Sequence, residues 1–453
     1  MSAEWLVKDK KFYQRLFMLA LPMAGQSILT FAVGLADNIM VGRIGDLALS
    51  GVYMANQWMT MLQQFIHGFM TAAMVIATQY WGKKDTDSIK TILAITGKFA
   101  AVTGILFFVA AFFFPIPLMG LYTNDPAVAA EAGRYIRIVA WSYLFYVATE
   151  LLMTSQKSVE TVGIALYTSI STLIINVVLN YLLIFGRLGF PAMGVRGAAV
   201  ATLSARVVET GIMLYYVKFR DNKLKLHLAD FARHSKLLLK DYIRYGIPIF
   251  AGAAVWGINM TGQGAIIGRL GQNAISAISI SNNMFQIVSV GVYGVASATA
   301  IIIGKTVGSG DYDLVKKYAK TLQLVFVAMG LGTAVLMYAS HWLIPLMYPT
   351  ASAETRAIVD QLILVLTVMV IGTAYQMSSL TGIVRAGGLT HFVFVNDTIF
   401  VCFVVLPLGF LSAFVLHAPV WVVFACLKCD QILKCFVALV KVNRFRWIKN
   451  ITR

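Results

Sequence analysis

The chain has 453 residues, of which 59% are hydrophobic and only 13% charged, and its 37 Lys and Arg outnumber 20 Asp and Glu to give a formal net charge of +17. A soluble chain uses roughly 25% charged residues to cover its surface, so this one presents most of its surface to lipid. The basic residues are scattered over loops with no folded domain to carry them, which excludes nucleic acid as the partner and leaves anionic lipid.

Apolar stretches recur along the whole length, each able to cross a hydrocarbon core of roughly 30 Å. With charges, prolines and glycine-rich turns as punctuation, twelve spans are expected at 14–40, 48–78, 92–115, 131–155, 162–186, 195–218, 241–267, 275–304, 318–343, 356–381, 391–414 and 418–441. Basic residues precede the first stretch, but no small-residue cleavage site closes a short apolar core, so residues 1–40 are expected to stay in the protein.

The first span runs from 16 to 36 without a charge and then meets Asp37. Counted from Arg15, 22 residues at 1.5 Å each reach about 33 Å, so Asp37 can be an interfacial acid. The apolar residues after it and the bend that Pro22 permits allow it to sit inward instead, where a bare carboxylate costs about 2.5–3.5 kcal/mol and needs a compensating role. The second span combines Gln57, Met61, Gln64 and His67 with further methionines, a wall suited to a wet cleft that takes varied organic cations, or to plain packing. His67 reads as a neutral hydrogen-bonding group or a relay. Glu150 and Glu209, in the fourth and sixth spans, can pair with Lys157 or Arg206, or take part in coupling. Asn176 and Asn180 lie four apart on one helix face; their amides can bond helix to helix or, with Asp37, ligate Na⁺. In the second half Pro248 is a second candidate hinge, Gln263 and Asn282 extend the cleft candidates, and Asp397 is expected near the surface. Asp430 and Lys434 form an i, i+4 pair, and Cys402, Cys426, Cys429 and Cys435 cluster where packing suits them better than disulfides or metal.

Only Arg43, Arg134, Arg137, Arg187, Arg196, Arg269 and Arg356 fall on the side opposite the N-terminus, 7 of 37 basic residues, so both termini are expected to be cytoplasmic. "IIGRLG" at 266–271 repeats "MVGRIG" at 40–45, and the offset of 226 also pairs Pro22 with Pro248, Gly82 with Gly308, Asp85 with Asp311 and Tyr122 with Tyr348. Each repeat holds six spans, an even number, so the two are parallel and related by an axis along the membrane normal. The fold expected is an all-α membrane protein of twelve transmembrane helices in two six-helix bundles. Its expected parts are an N-terminal lobe 1–218, a basic cytoplasmic linker 219–240, a C-terminal lobe 241–441 and a basic tail 442–453. At the position equivalent to Asp37 stands Gln263, which exchanges no proton, so ion coupling is expected in the first lobe.

"LALPMAGQSIL", "DNIMVGRIGDLALSG", "NVVLNYLLIFG" followed by "GVRGAAVAT", "YGIPIF", "GIVRAGGLTHF" and "DQILKCF…RWIKNIT" together resemble the multidrug and toxic compound extrusion (MATE) family, in its prokaryotic form, over essentially the whole chain. The resemblance implies two lobes around a cleft and export of organic, often cationic, amphipathic compounds against H⁺ or Na⁺ by alternating access. It implies a monomer without cofactor in the bacterial inner membrane. It makes Asp37 the coupling residue and adds Thr202 to the set. The chain departs from the family's Asn-x-x-x-Asp motif by placing Asn180 where the acid stands. It also has Leu389 for an aspartate and Trp256 where some branches place a glutamate. A flippase for lipid-linked saccharides has a similar two-lobe architecture, but would use several cavity cations, and few Lys or Arg here lie at membrane depth. No His/Asp/Ser constellation or HExxH pattern suggests an intramembrane enzyme.

Overall fold

The structure, a computed structural model, describes residues 6–348 and 352–452; residues 1–5, 349–351 and 453, which fall in the expected lobes and tail, lie outside it. Among the described residues the chain is helical, without a strand. Twelve long helices follow one another: α1 (Lys10–Gly42), α2 (Asp46–Gly82), α3 (Thr86–Phe113), α4 (Pro126–Ser158), α5 (Gly163–Phe185), α6 (Val195–Phe219), α7 (Lys236–Ile267), α8 (Gln272–Gly308), α9 (Tyr312–Trp342), α10 (Ala353–Arg385), α11 (Thr390–Val415) and α12 (Val420–Lys428 with Asp430–Asn443). Ten are long and apolar enough to cross a membrane by length and composition. The other two are α7, which contains no stretch of that length and hydropathy, and α12, which breaks at Cys429 into two shorter pieces.

The internal repeat has a local physical reason. Asp85 accepts from Ser88 N (3.0 Å) to cap α3, and Asp311, 226 residues on, accepts from Leu314 N (3.0 Å) to cap α9. Pro22 lies inside α1 and Pro248 inside α7, each removing one helical hydrogen bond. Around Pro407 the α11 backbone widens into π-helical turns at Phe400–Val405 and Leu411–Val415, which accommodates the missing donor and the crowded carbonyl before it.

The chain divides into two compact units, and the division differs from the expected lobes. One comprises Gly25–Ala77 and Asp85–Ile243; the other comprises Met1–Ala24, Thr78–Lys84 and Arg244–Arg453. The boundary crosses α1 two residues after Pro22. In the first unit the expected linker is not a separate segment. Asp221 accepts from the backbone N–H of Lys223, Leu224 and Lys225 and from Gln156 Nε2, while Asp230 takes Lys90 (3.4 Å) and Arg233 (2.8 Å).

In the second unit, glycines permit close backbone crossings. A Cβ on Gly294 would meet Ala20 O at 2.7 Å. Gly82 abuts the Lys305 carbonyl and Gly308 the Gln79 carbonyl, a reciprocal crossing of residues related by the same offset of 226. The basic tail is docked. Trp447 is fully buried, Lys449 N donates to Gly387 O (2.8 Å), and Ile451 N donates to Gln79 Oε1 (3.0 Å). Lys434 binds Asp430 (3.1 Å) as the spacing suggested, and also the partly exposed Asp397 (2.9 Å).

Candidate ion-coupling site

The α5–α6 hairpin sets the site's geometry. Gly186 ends α5 with a left-handed φ of +66° where a Cβ would strike Ala192, and Gly197 lets α6 approach the Leu183 carbonyl so closely that a Cβ would lie 2.5 Å from it. With Ala198, Ala199 and Ala201 buried beside it, α6 packs tightly on α5. Asn176 and Asn180 are both buried on the inner face of α5.

Asp37, on the part of α1 in the same unit, accepts from Asn180 Nδ2 at 2.5 Å, and the same nitrogen donates to Asn176 Oδ1 at 3.1 Å. Asn180 Oδ1 and Thr202 Oγ1 are buried and have no hydrogen-bond partner among the described residues. An unpaired buried oxygen costs about 1–3 kcal/mol, so the Asn180 oxygen, on the residue that holds the carboxylate, is an acceptor open to a donor or a cation. All four residues named from the sequence as the coupling set therefore lie in one unit, with three of them in direct contact.

Two further residues reach this cluster. Tyr135 of α4 is buried, next to Thr202 and within electrostatic range of Asp37. Arg206, one helical turn after Thr202, is within range of Asp37, binds Glu209 at 2.6 Å and lies over the Tyr146 ring at 5.3 Å. Glu150 is in electrostatic range of both Arg206 and Lys157. Sequence reasoning missed Tyr135. The only available signal was the general need of a buried tyrosine for a polar neighbour.

The remaining candidates are distributed differently. Glu209 is occupied by Arg206, and His67 is exposed with Thr71 Oγ1 at 3.5 Å from its ring nitrogen. Gln57, Met61 and Gln64 share one face of α2 (i, i+4, i+7), with Met61 44% exposed beside an exposed Phe65. Asn282 is half-buried on α8. Gln263 is buried and bonded within its own unit, donating to Asn259 Oδ1 (3.0 Å) and Leu427 O (3.3 Å).

Comparison with known proteins bears on the family and the fold. The MatE family model matches residues 22–182 and again 249–411, one match in each half of the internal repeat. A relative from Rhizobium meliloti, named a probable multidrug resistance protein NorM, is 27% identical over 88% of this chain and 86% of its own. The multidrug resistance protein MdtK of Pectobacterium atrosepticum is 25% identical over 88% and 87%. The crystal structure of the Vibrio cholerae MATE transporter VcmN in its bent form superposes with a TM-score of 0.85 at 16% identity, covering 96% of this chain and 97% of that one.

Proposed function

Since the chain belongs to the MatE family, whose members are transporters and not enzymes, we propose that it is a secondary-active multidrug exporter that antiports organic, amphipathic cations against H⁺ or Na⁺ by alternating access. The observation that carries this reading is Asp37, held by Asn180, whose own oxygen is buried and unpartnered.

Bare Asp37 is stabilised by the Asn180 and Asn176 amides and by the more distant Arg206. A proton removes its charge. A sodium ion, a hard cation preferring oxygen, would draw on Asp37, Thr202 Oγ1 and the amide oxygens of Asn176 and Asn180. With an amide at 180 in place of a second acid, the cluster balances one monovalent charge per cycle. Neutralising Asp37 weakens the pull on Arg206, which is tied in turn to Glu209 and Tyr146, so the cation's differential affinity for the two access states shifts their populations. Substrate contacts fall to the α2 face of Gln57, Met61 and Gln64, where methionine adapts to varied apolar shapes and the adjacent Phe65 attracts cations.

The test is efflux of a fluorescent organic cation from proteoliposomes under an imposed Na⁺ gradient and, separately, an imposed pH gradient. Asp37→Asn keeps the side chain's shape and removes its charge; it should fold and bind substrate yet lose gradient-driven efflux. Wild-type pumping by this variant under both gradients would overturn the assignment.

A further inference from the structure

Of the seven basic residues expected from the sequence on the side opposite the N-terminus, three, Arg134, Arg137 and Arg196, converge on one cavity of about 410 Å³. Pro115, Ile116, Ala130, Gly133 and Ile138 form the rest of its lining. Its volume falls in the range of about 300–1,000 Å³ typical of ligand pockets. All eight residues belong to the unit that contains Asp37, but none takes part in the coupling cluster.

The electrostatics of the cavity are unbalanced. Arg134 is paired with Glu131 at 3.0 Å, whereas Arg137 lies over the Phe112 ring at 5.3 Å and has no acidic partner among the described residues; nor has Arg196. Three guanidinium groups against one carboxylate leave a net charge of +2, on the membrane face where the rest of the chain is poorest in basic residues. A ring-held guanidinium keeps its hydrogen-bond donors free for a planar or tetrahedral oxyanion.

Depth narrows the ligand. Helix α4 has 33 residues, about 50 Å of helix against a core of roughly 30 Å, so it overhangs by about 10 Å at each end. Arg134 and Arg137 stand about 12 and 16 Å from its start, about 2 and 6 Å below that overhang, and helical side chains lean toward the helix start, so their long stems carry the guanidinium groups up to the lipid headgroups. Arg196 is the second residue of α6, at the same face. The apolar wall of Pro115, Ile116 and Ile138 lies beside the charges, at the depth where acyl chains begin.

We propose that this pocket is a binding site for the phosphate of an anionic membrane lipid, with the arginines holding the headgroup and the proline–isoleucine wall receiving the top of an acyl chain. The site adds a lipid requirement that the exporter's ion and substrate chemistry does not demand.

The test uses the full chain in phosphatidylcholine nanodiscs into which phosphatidylglycerol is titrated, with retained lipid counted by native mass spectrometry. Wild type should retain phosphatidylglycerol preferentially. Arg137→Gln and Arg196→Gln, both at exposed positions, should each lose about fivefold of that preference, the loss expected for one basic contact at a membrane surface. Arg187→Gln, on the same face outside the pocket, should leave the preference unchanged. Soluble glycerophosphate should not displace the lipid, because it lacks the chain that the apolar wall receives. Displacement by glycerophosphate would assign the pocket to a free phosphate and overturn the lipid assignment. Unchanged retention in both arginine variants, or an equal loss in Arg187→Gln, would overturn the site.

Discussion

The amide nitrogen of Asn180 serves Asp37 and Asn176 together, while its own oxygen and Thr202 Oγ1 stay buried without partners. An acid at 180 would instead face Asp37 with like charge, and the pair would be stable only with a cation between them. One amide thus converts a two-acid site into a one-acid site whose empty form is tolerable. The orphaned Thr202 hydroxyl offers a test with opposite signs. Thr202→Val keeps the shape and removes a buried polar atom, so without sodium the protein should be more stable by up to about 1 kcal/mol. If that oxygen ligates Na⁺, the rise in melting temperature on adding sodium should shrink at the same time. An unchanged sodium response would remove Thr202 from the ligand set. The asparagines' common face was legible from their spacing of four, because helix geometry alone fixes it. Tyr135 and Arg206 were not, since nothing local to their sequence says which buried ring or cation faces a carboxylate on another helix.

Segments outside the membrane pack more than their composition suggests. The stretch after α6 reads as a basic, solvated linker, yet its short helical turn Leu228–Ala232 is pinned to α3 by Lys90 and by Arg233, which also reaches Asp87 at 2.8 Å. The alternation of charge along it gave no hint of this, because ion-pair partners separated by more than a hundred residues leave no periodic trace. The docked tail was hidden for the same reason: Gly387 has room for Trp447 only because it lacks a Cβ, a fact of packing and not of pattern. The Asp230 carboxyl is the centre of the linker's contacts. Burial opposes its ionisation, but the His227 N–H, Lys90 and Arg233 outweigh burial and hold it below the usual carboxylate range. A carboxyl held low in the folded form contributes stability above its unfolded value of about 3.9, and that contribution is lost as pH falls through the lower folded value. Protease cleavage between residues 219 and 243 should therefore rise as pH drops below about 4. Asp230→Asn should show the same sensitivity at pH 7, as measured by limited proteolysis with an acid-tolerant and a neutral protease. Resistance of that variant at pH 7 would show that the other contacts hold the segment without it.

At the scale of the whole chain, the twelve helices and their duplication were legible because lipid demands long apolar runs and because equivalent positions keep equivalent caps, as Asp85 and Asp311 do. The division into units was not, since it cuts α1 beyond Pro22 and α2 before Thr78, inside runs whose sequence shows no break. Orientation follows from charge and parity together. Twelve crossings return the chain to its starting side, and 30 of 37 Lys and Arg gather on or near the side of the N-terminus, leaving seven opposite. Lys and Arg near span ends are retained in the cytoplasm during insertion, so that side should be cytoplasmic. Asn222 and Ser352 report the two sides: both are exposed, one in the segment after α6 and the other capping α10 through Thr355 N at 3.1 Å. With Cys402, Cys426, Cys429 and Cys435 replaced, Ser352→Cys gives up a helix cap worth about 1 kcal/mol, a tolerable loss, and Asn222→Cys breaks no helix. An impermeant maleimide added to intact cells should label position 352 and spare 222, and permeabilised cells should label both. Labelling of 222 from outside would invert the protein. The Arg134–Arg137–Arg196 pocket would then face the cytoplasmic leaflet, and the gradients expected to drive export would drive uptake instead.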